Sequence, residues 1–266
     1  MSILAKKRLR KLKKLGRKRI FSLIFSTVFL LLFLLIIINF SDIFSSLITK
    51  KNSLFYTPKI ENESYSVYAV SIKDFKTESE AKDYAEEIKQ NGGAGYVYHS
   101  GEYFVFVSSY PSLIEAKEIN ENLVMLGYNS RIVNLKVDSF LIDYKGDNAA
   151  LILEAIKQFR NTYNLLQETS IKFDKNEITQ KQANSVFAQI LTKLSTLENK
   201  IKKLNQGYDL PLKQQIIVPI KQTKDLLENL LYYANENKFE YSANIKNACI
   251  EVVFINKNLI EKIKTL

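Results

Sequence analysis

The sequence holds one cysteine, Cys249, and one histidine, His99, among 266 residues. A single thiol excludes an intramolecular disulfide and any cysteine-cluster metal site. A single imidazole leaves too little for a histidine-based metal centre or a Ser-His-Asp relay. There is also no E-x-x-H pair, no nucleophile set beside a base and no phosphate loop ahead of a helix. Asn91-Gly92-Gly93-Ala94-Gly95 comes nearest to such a loop, but it follows a helical stretch, so it reads as a helix stop. Hydrolysis of a polymer would need paired carboxylates in a recognisable setting, and none stands out. The expectation is a chain that is not an enzyme, with no cofactor and no metal.

Acidic residues are missing from the first 19 positions, which carry Lys6, Lys7, Arg8, Arg10, Lys11, Lys13, Lys14, Arg17, Lys18 and Arg19. The formal net charge is +10, so the rest of the chain sums to about zero. The high pI belongs to this tail and does not mark a basic folded domain. Charge of either sign is then missing from Ile20–Phe40. At ~1.5 Å per residue this run makes about 31 Å of helix, which matches a hydrocarbon core of ~30 Å. Lys/Arg in a short flank stay cytoplasmic, so 1–19 reads as a cytoplasmic tail and 20–40 as a transmembrane helix. The remainder is then extracytoplasmic and the protein single-pass in the plasma membrane. A cleaved signal peptide is the alternative, but the apolar run is too long and no small-residue site follows it. Residues 41–64 are polar and aperiodic and read as a tether, spanning roughly 25–30 Å as a coil and ~80 Å when extended.

Residues 65–137 contain an internal repeat. A shift of 35 sets Tyr68 on Tyr103, Val70 on Val105, Phe75 on Tyr110, Thr77 on Ser112, Glu80 on Glu115, Ala81 on Ala116 and Gly92 on Gly127. Each half reads strand, helix, strand. Tyr68, Val70 and Ile72 alternate, as do Tyr103, Val105 and Val107. Thr77-Glu78-Ser79-Glu80 and Ser112-Leu113-Ile114-Glu115 have the capping-box pattern, and Gly92 and Gly127 end the helices. Ser100-Gly101 suits a hairpin turn. The order β-α-β-β-α-β is the split β-α-β, or ferredoxin-like, plan, with two helices on one sheet face.

That arrangement resembles the SPOR (sporulation-related repeat) family of peptidoglycan-binding domains. The family signature Y-x-V-Q-V-G-S-F, with Ala six residues on, is matched by Tyr68–Phe75 followed by Ala81. The second, G-x-Y-R-V-x-V-G-P-F, is matched by Gly101–Tyr110 followed by Ala116. The chain departs at polar positions: Ser71 replaces the usual Gln, Phe104 a frequent Arg, and Lys73 and Ser108 the glycines. The resemblance implies binding of glycan strands stripped of stem peptides, at division or sporulation septa. With Tyr103, Val105 and Val107 facing the helices, Phe104 and Phe106 point the other way. Ser71, Lys73, Tyr96 and Tyr98 join them as candidate glycan-binding residues. The alternation equally fits a face covered by the C-terminal domain, because two bare phenylalanines are costly. An RNA-recognition module shares this topology, but an extracytoplasmic, charge-balanced domain argues against nucleic acid.

Residues 147–266 turn to long helical periodicity. A first helix is predicted over about 148–169, with Leu151, Ala155, Ile156, Phe159, Tyr163 and Leu166 inside. A second covers about 175–205, with Val186, Ile190, Leu194, Leu197, Ile201 and Leu204 at heptad-like steps. Pro211 opens a third, which Pro219 should kink, and a fourth ends near Lys264. Four such helices with short loops predict an all-α bundle. The fold class expected is thus α+β: an anchor, a SPOR-like domain and a helical bundle.

Two functions follow as expectations. One is a membrane-anchored protein that binds peptidoglycan glycan strands, with the bundle free for a protein partner or self-association. The other is a membrane-anchored assembly or scaffold protein that binds no sugar and acts through the bundle and the aromatic sheet face.

Overall fold

A computed structural model describes residues 59–143, 148–204, 210–232 and 237–265. The chain divides into Met1–Thr57 and Pro58–Leu266. The basic tail, the Ile20–Phe40 run and the tether up to residue 58 lie outside the described residues. Among the described residues no helix is long and apolar enough to cross a membrane.

Among the described residues of Pro58–Leu266 the fold is mixed α/β, with two antiparallel sheets and six helices. The strands are β1 (Lys59–Asn62), β2 (Tyr65–Phe75), β3 (Tyr96–Ser100), β4 (Glu102–Tyr110), β5 (Arg131–Val137) and β6 (Phe140–Asp143). The helices are α1 (Glu78–Gln90), α2 (Leu113–Met125), α3 (Ala149–Asp174), α4 (Gln180–Lys202), α5 (Leu210–Tyr232) and α6 (Lys238–Ile263).

β2 to β5 form a four-stranded sheet in the order β3-β4-β2-β5, every neighbour antiparallel. Between them run α1 and α2, giving the expected β-α-β-β-α-β succession. Val70, Ile72, Val105 and Val107 pack with Ala81, Ala85, Ile88 and Ala116 as a core between the sheet and these helices. Both helix ends follow from glycine: Gly92 has φ +81°, and Gly93 N–H donates to the Ile88 carbonyl at 2.9 Å. Gly127 does the same for α2, with Tyr128 N–H donating to the Leu123 carbonyl at 3.0 Å.

The starts differ from expectation. The Thr77 hydroxyl accepts from Glu80 N–H and donates to the Glu80 carboxylate at 2.8 Å, without the return bond from the cap N–H that would complete a capping box. Ser112 accepts from Ile114 N–H at 3.2 Å. The reciprocal capping box sits instead at α4, where the Thr179 hydroxyl accepts from Gln182 N–H and Gln182 Oε1 accepts from Thr179 N–H at 2.8 Å.

Residues 59–62, assigned above to the tether, pair with β6 from Lys59↔Asp143 to Asn62↔Phe140. Ile60 is fully buried and Lys59 and Glu61 are exposed. One apolar residue in four is too weak a pattern to announce a strand.

α3 to α6 form the bundle. α3 packs on α4 and α6, and α5 packs on the same two, so each helix has two neighbours around a shared core. The predicted interior residues of α3 and α4 are buried, except Leu151 and Val186, which are half-buried. α5 runs through Pro219, and the Thr223 hydroxyl donates to the Pro219 carbonyl at 2.9 Å. α6 is buried on nearly all sides, because α3 and α5 flank it and the sheet covers what remains.

Candidate functional site

The candidate glycan-binding face is the sheet surface opposite α1 and α2. Strand alternation puts Phe104 and Phe106 there, as expected. Cross-strand pairing sets Tyr98 opposite Phe104 and Tyr96 opposite Phe106. The directly opposed rings lie 6.3 Å apart, and the diagonal pair Tyr98 and Phe106 stacks at 5.4 Å.

That face is covered. Phe106 is 0 % exposed and Phe104 7 %, and both belong to the core shared with the bundle. Phe254 of α6 stacks on Tyr96 at 5.4 Å and on Tyr98 at 5.2 Å. Tyr96 and Tyr98 stay half-buried. Burial raises the Tyr96 phenol to about 12, with the nearby Glu251 carboxylate and Tyr98 adding to the rise. Burial likewise raises the Glu251 carboxyl, against the opposing pull of Lys89.

The other two candidates part company. Ser71 is fully buried, its hydroxyl directed to the Lys73 carbonyl at 3.5 Å. Lys73 is exposed, yet its ammonium lies over Phe75 and Tyr84 at 5.0 and 5.6 Å, on the α1 side of the sheet. The β2–β4 pairing shifts register between Val70 and Ser71 and again between Ser71 and Asp74. A register shift breaks the period of two, which is why Lys73 does not follow Ser71. Arg131 fills the sheet end instead, its guanidinium 4.0 Å from the Phe104 ring centre and 2.9 Å from Asp74.

α6 is fastened along its length by polar contacts. Near its start, Lys246 donates to the Gly92 carbonyl at 2.6 Å and pairs with Asp174 at 2.8 Å. Asn247 donates to the Ala94 carbonyl at 3.1 Å. Phe239 approaches the Gly92 backbone so closely that a Cβ there would lie 3.3 Å from its ring. Farther along, Asn256 donates to the Tyr65 hydroxyl at 2.7 Å, and Arg160 of α3 lies over the Tyr65 ring at 4.9 Å. At the end, Lys264 pairs with Asp138 at 2.9 Å.

The chain matches no protein-family model, no curated protein and no solved structure. Its geometry therefore stands alone. Among the described residues no cluster of His, Cys, Asp and Glu is arranged to hold a metal ion.

Phe254, Lys246, Asn256 and Arg160 were missed from the sequence. They lie in the helical region, about 95 to 190 positions from the residues of the sheet domain they touch, and no local pattern joins the two. Tyr65 was findable, because it continues the two-residue alternation of Val67 and Ala69 on the bundle side.

Proposed function

We propose that this chain is a non-enzymatic, membrane-anchored assembly protein whose SPOR-like, ferredoxin-like domain serves as a platform for its own helical bundle. The observation that carries this reading is the seating of Phe254 on Tyr96 and Tyr98 over buried Phe104 and Phe106. A glycan strand needs that aromatic face bare, and α6 already occupies it. The remaining surface of the bundle is then the part free to meet a protein partner on the outer side of the plasma membrane. The anchor and topology rest on the basic tail and the uncharged Ile20–Phe40 run.

The test is a pull-down of the full chain, in mild detergent, on insoluble peptidoglycan with and without amidase stripping of stem peptides. Neither preparation is expected to retain the chain. Retention that rises with stripping and falls in Phe104→Ala would restore glycan binding as the function.

A further inference from the structure

The two halves of the internal repeat build the same turn from different residues. α1 ends in Lys89-Gln90-Asn91 ahead of Gly92, and α2 ends in Val124-Met125-Leu126 ahead of Gly127, the positions matching at the shift of 35. In the first half the polar residues serve the helix end. Lys89 pairs with Glu86 at 2.7 Å, and Asn91 Nδ2 donates to the Glu87 carbonyl at 2.9 Å. The last turn of α2 has no basic residue, and of the whole helix only Ala116 is buried. Val124, Met125 and Leu126 are 52, 77 and 75 % exposed. The fold closes this turn with polar residues in one half, so it does not require apolar ones in the other.

The bare side chains form a tip. Gly127 turns the chain at φ +89°, and a Cβ there would meet nothing within 4 Å. Residues 122–130 carry no charge, and exposed Tyr128 stands at the rim, an amphipathic ring suited to the headgroup level of a bilayer. Three side chains are far fewer than the ~20–30 residues a side of a stable protein interface, which argues against a second copy. A bilayer asks for no matching surface and takes up apolar side chains to a depth of about 5–10 Å. Glu121 lies one turn before Met125, so a single helical turn, ~5 Å, can enter ahead of a charge.

The layout of the chain brings a bilayer within reach. Residues 41–58 join Phe40, the end of the predicted span, to Lys59 of β1. β1 pairs with β6, which follows the end of β5, whereas the tip precedes the start of β5. The seven-residue strand, about 23 Å long, therefore lies between the tip and the point where the chain enters the fold. A coil of the length of residues 41–58 spans roughly 23 Å, and ~60 Å when extended. Three side chains alone would hold a surface only marginally, but a tether supplies them at high local concentration.

We infer that the Val124–Leu126 tip inserts into the outer leaflet of the membrane that anchors the chain, as a second, apolar foothold that sets which way the folded part faces. The inference rests on the proposed anchor at 20–40 and adds a lipid contact to it. Because no charge takes part, insertion is indifferent to anionic lipid and to salt.

The experiment reconstitutes the full chain into phosphatidylcholine vesicles with a polarity-sensitive dye on Asn129→Cys, beside the tip. A second sample carries the dye on Ile114→Cys, exposed at the other end of α2. Cys249 is fully buried and stays unlabelled. Lipid bearing a nitroxide just below its headgroup should strip the dye at 129 of most of its fluorescence and leave the dye at 114 bright. Exchanging the tip for its first-half counterpart (Val124→Lys, Met125→Gln, Leu126→Asn) should abolish that loss without moving the thermal midpoint, because the three side chains are exposed. Equal quenching at 129 and 114 would overturn the inference. So would quenching that needs phosphatidylglycerol and disappears in high salt, which marks attraction to the surface without insertion. Shielding of 129 from aqueous iodide with no nitroxide quenching, growing with the protein-to-lipid ratio, would overturn it in favour of a second copy. Release of the chain from the vesicles by alkaline carbonate is a separate failure, which removes the anchor reading and this inference with it.

Discussion

Two acids, buried Glu198 and half-buried Glu251, pull the stability of this fold in opposite directions, and the difference lies in what each one faces. Glu198 of α4 is nearly buried but holds two ammonium groups, Lys202 and Lys224, the latter at 2.8 Å from α5. Hydrogen bonds to Lys202 and Lys224 hold its carboxyl below the ordinary 4.5 against the cost of burial. Glu251 of α6 faces Tyr96, has only distant help from Lys89, and is held above 4.5 by burial. For Glu198 the folded-state value is depressed, so its stabilisation is present above pH 4.5 and is lost as pH falls through the folded value. For Glu251 the folded-state value is raised, so its contribution to stability is full below pH 4.5 and weakens as pH rises through the folded value. Glu198→Gln should therefore cost about 1–3 kcal/mol at pH 7, because two lysines lose their partner. Glu251→Gln should raise the thermal midpoint at pH 7. The Glu251→Gln difference should vanish below pH 4.5, and the Glu198→Gln difference should shrink as pH falls through the depressed Glu198 value, which thermal melts across the acid range up to pH 8 would check.

At the scale of elements, the repeat in residues 65–137 made the four-stranded sheet and both of its helices legible. Tyr103, Val105 and Val107 face α1 and α2, and Gly92 and Gly127 stop helices, because each of these signals is local in sequence. The capping boxes were less legible. Thr77 and Ser112 have the pattern, but the reciprocal pair of bonds forms at Thr179 with Gln182. Thr179→Ala should accordingly destabilise the bundle by about 1 kcal/mol in urea denaturation, and Thr77→Ala should cost less. β1 and β6 were invisible because each is four residues long and depends on the other. The position of Lys73 was misread because a register shift in β2 cannot be seen from composition.

At the scale of the whole molecule, what a sequence of this kind withholds is which surfaces meet. Phe104 and Phe106 were correctly assigned to the face away from α1 and α2, yet the same alternation suits an exposed binding platform and a buried interface. The choice falls to Phe254, Asn256 and Lys246, whose contacts with the sheet cross 150 or more residues of chain. A covered face turns a sugar-reading platform into a joint.

The covered face can be measured directly by hydroxyl-radical footprinting of the full chain with residue-level mass spectrometry. Phe239 is an internal standard of the same chemistry, 59 % exposed beside the sheet–bundle seam. If α6 covers the sheet, Phe104 and Phe106 should be strongly protected while Phe239 and Tyr128 are oxidised. Oxidation of Phe104 and Phe106 at a rate close to that of Phe239 would mean an open sheet face, and would contradict the assembly reading at its root.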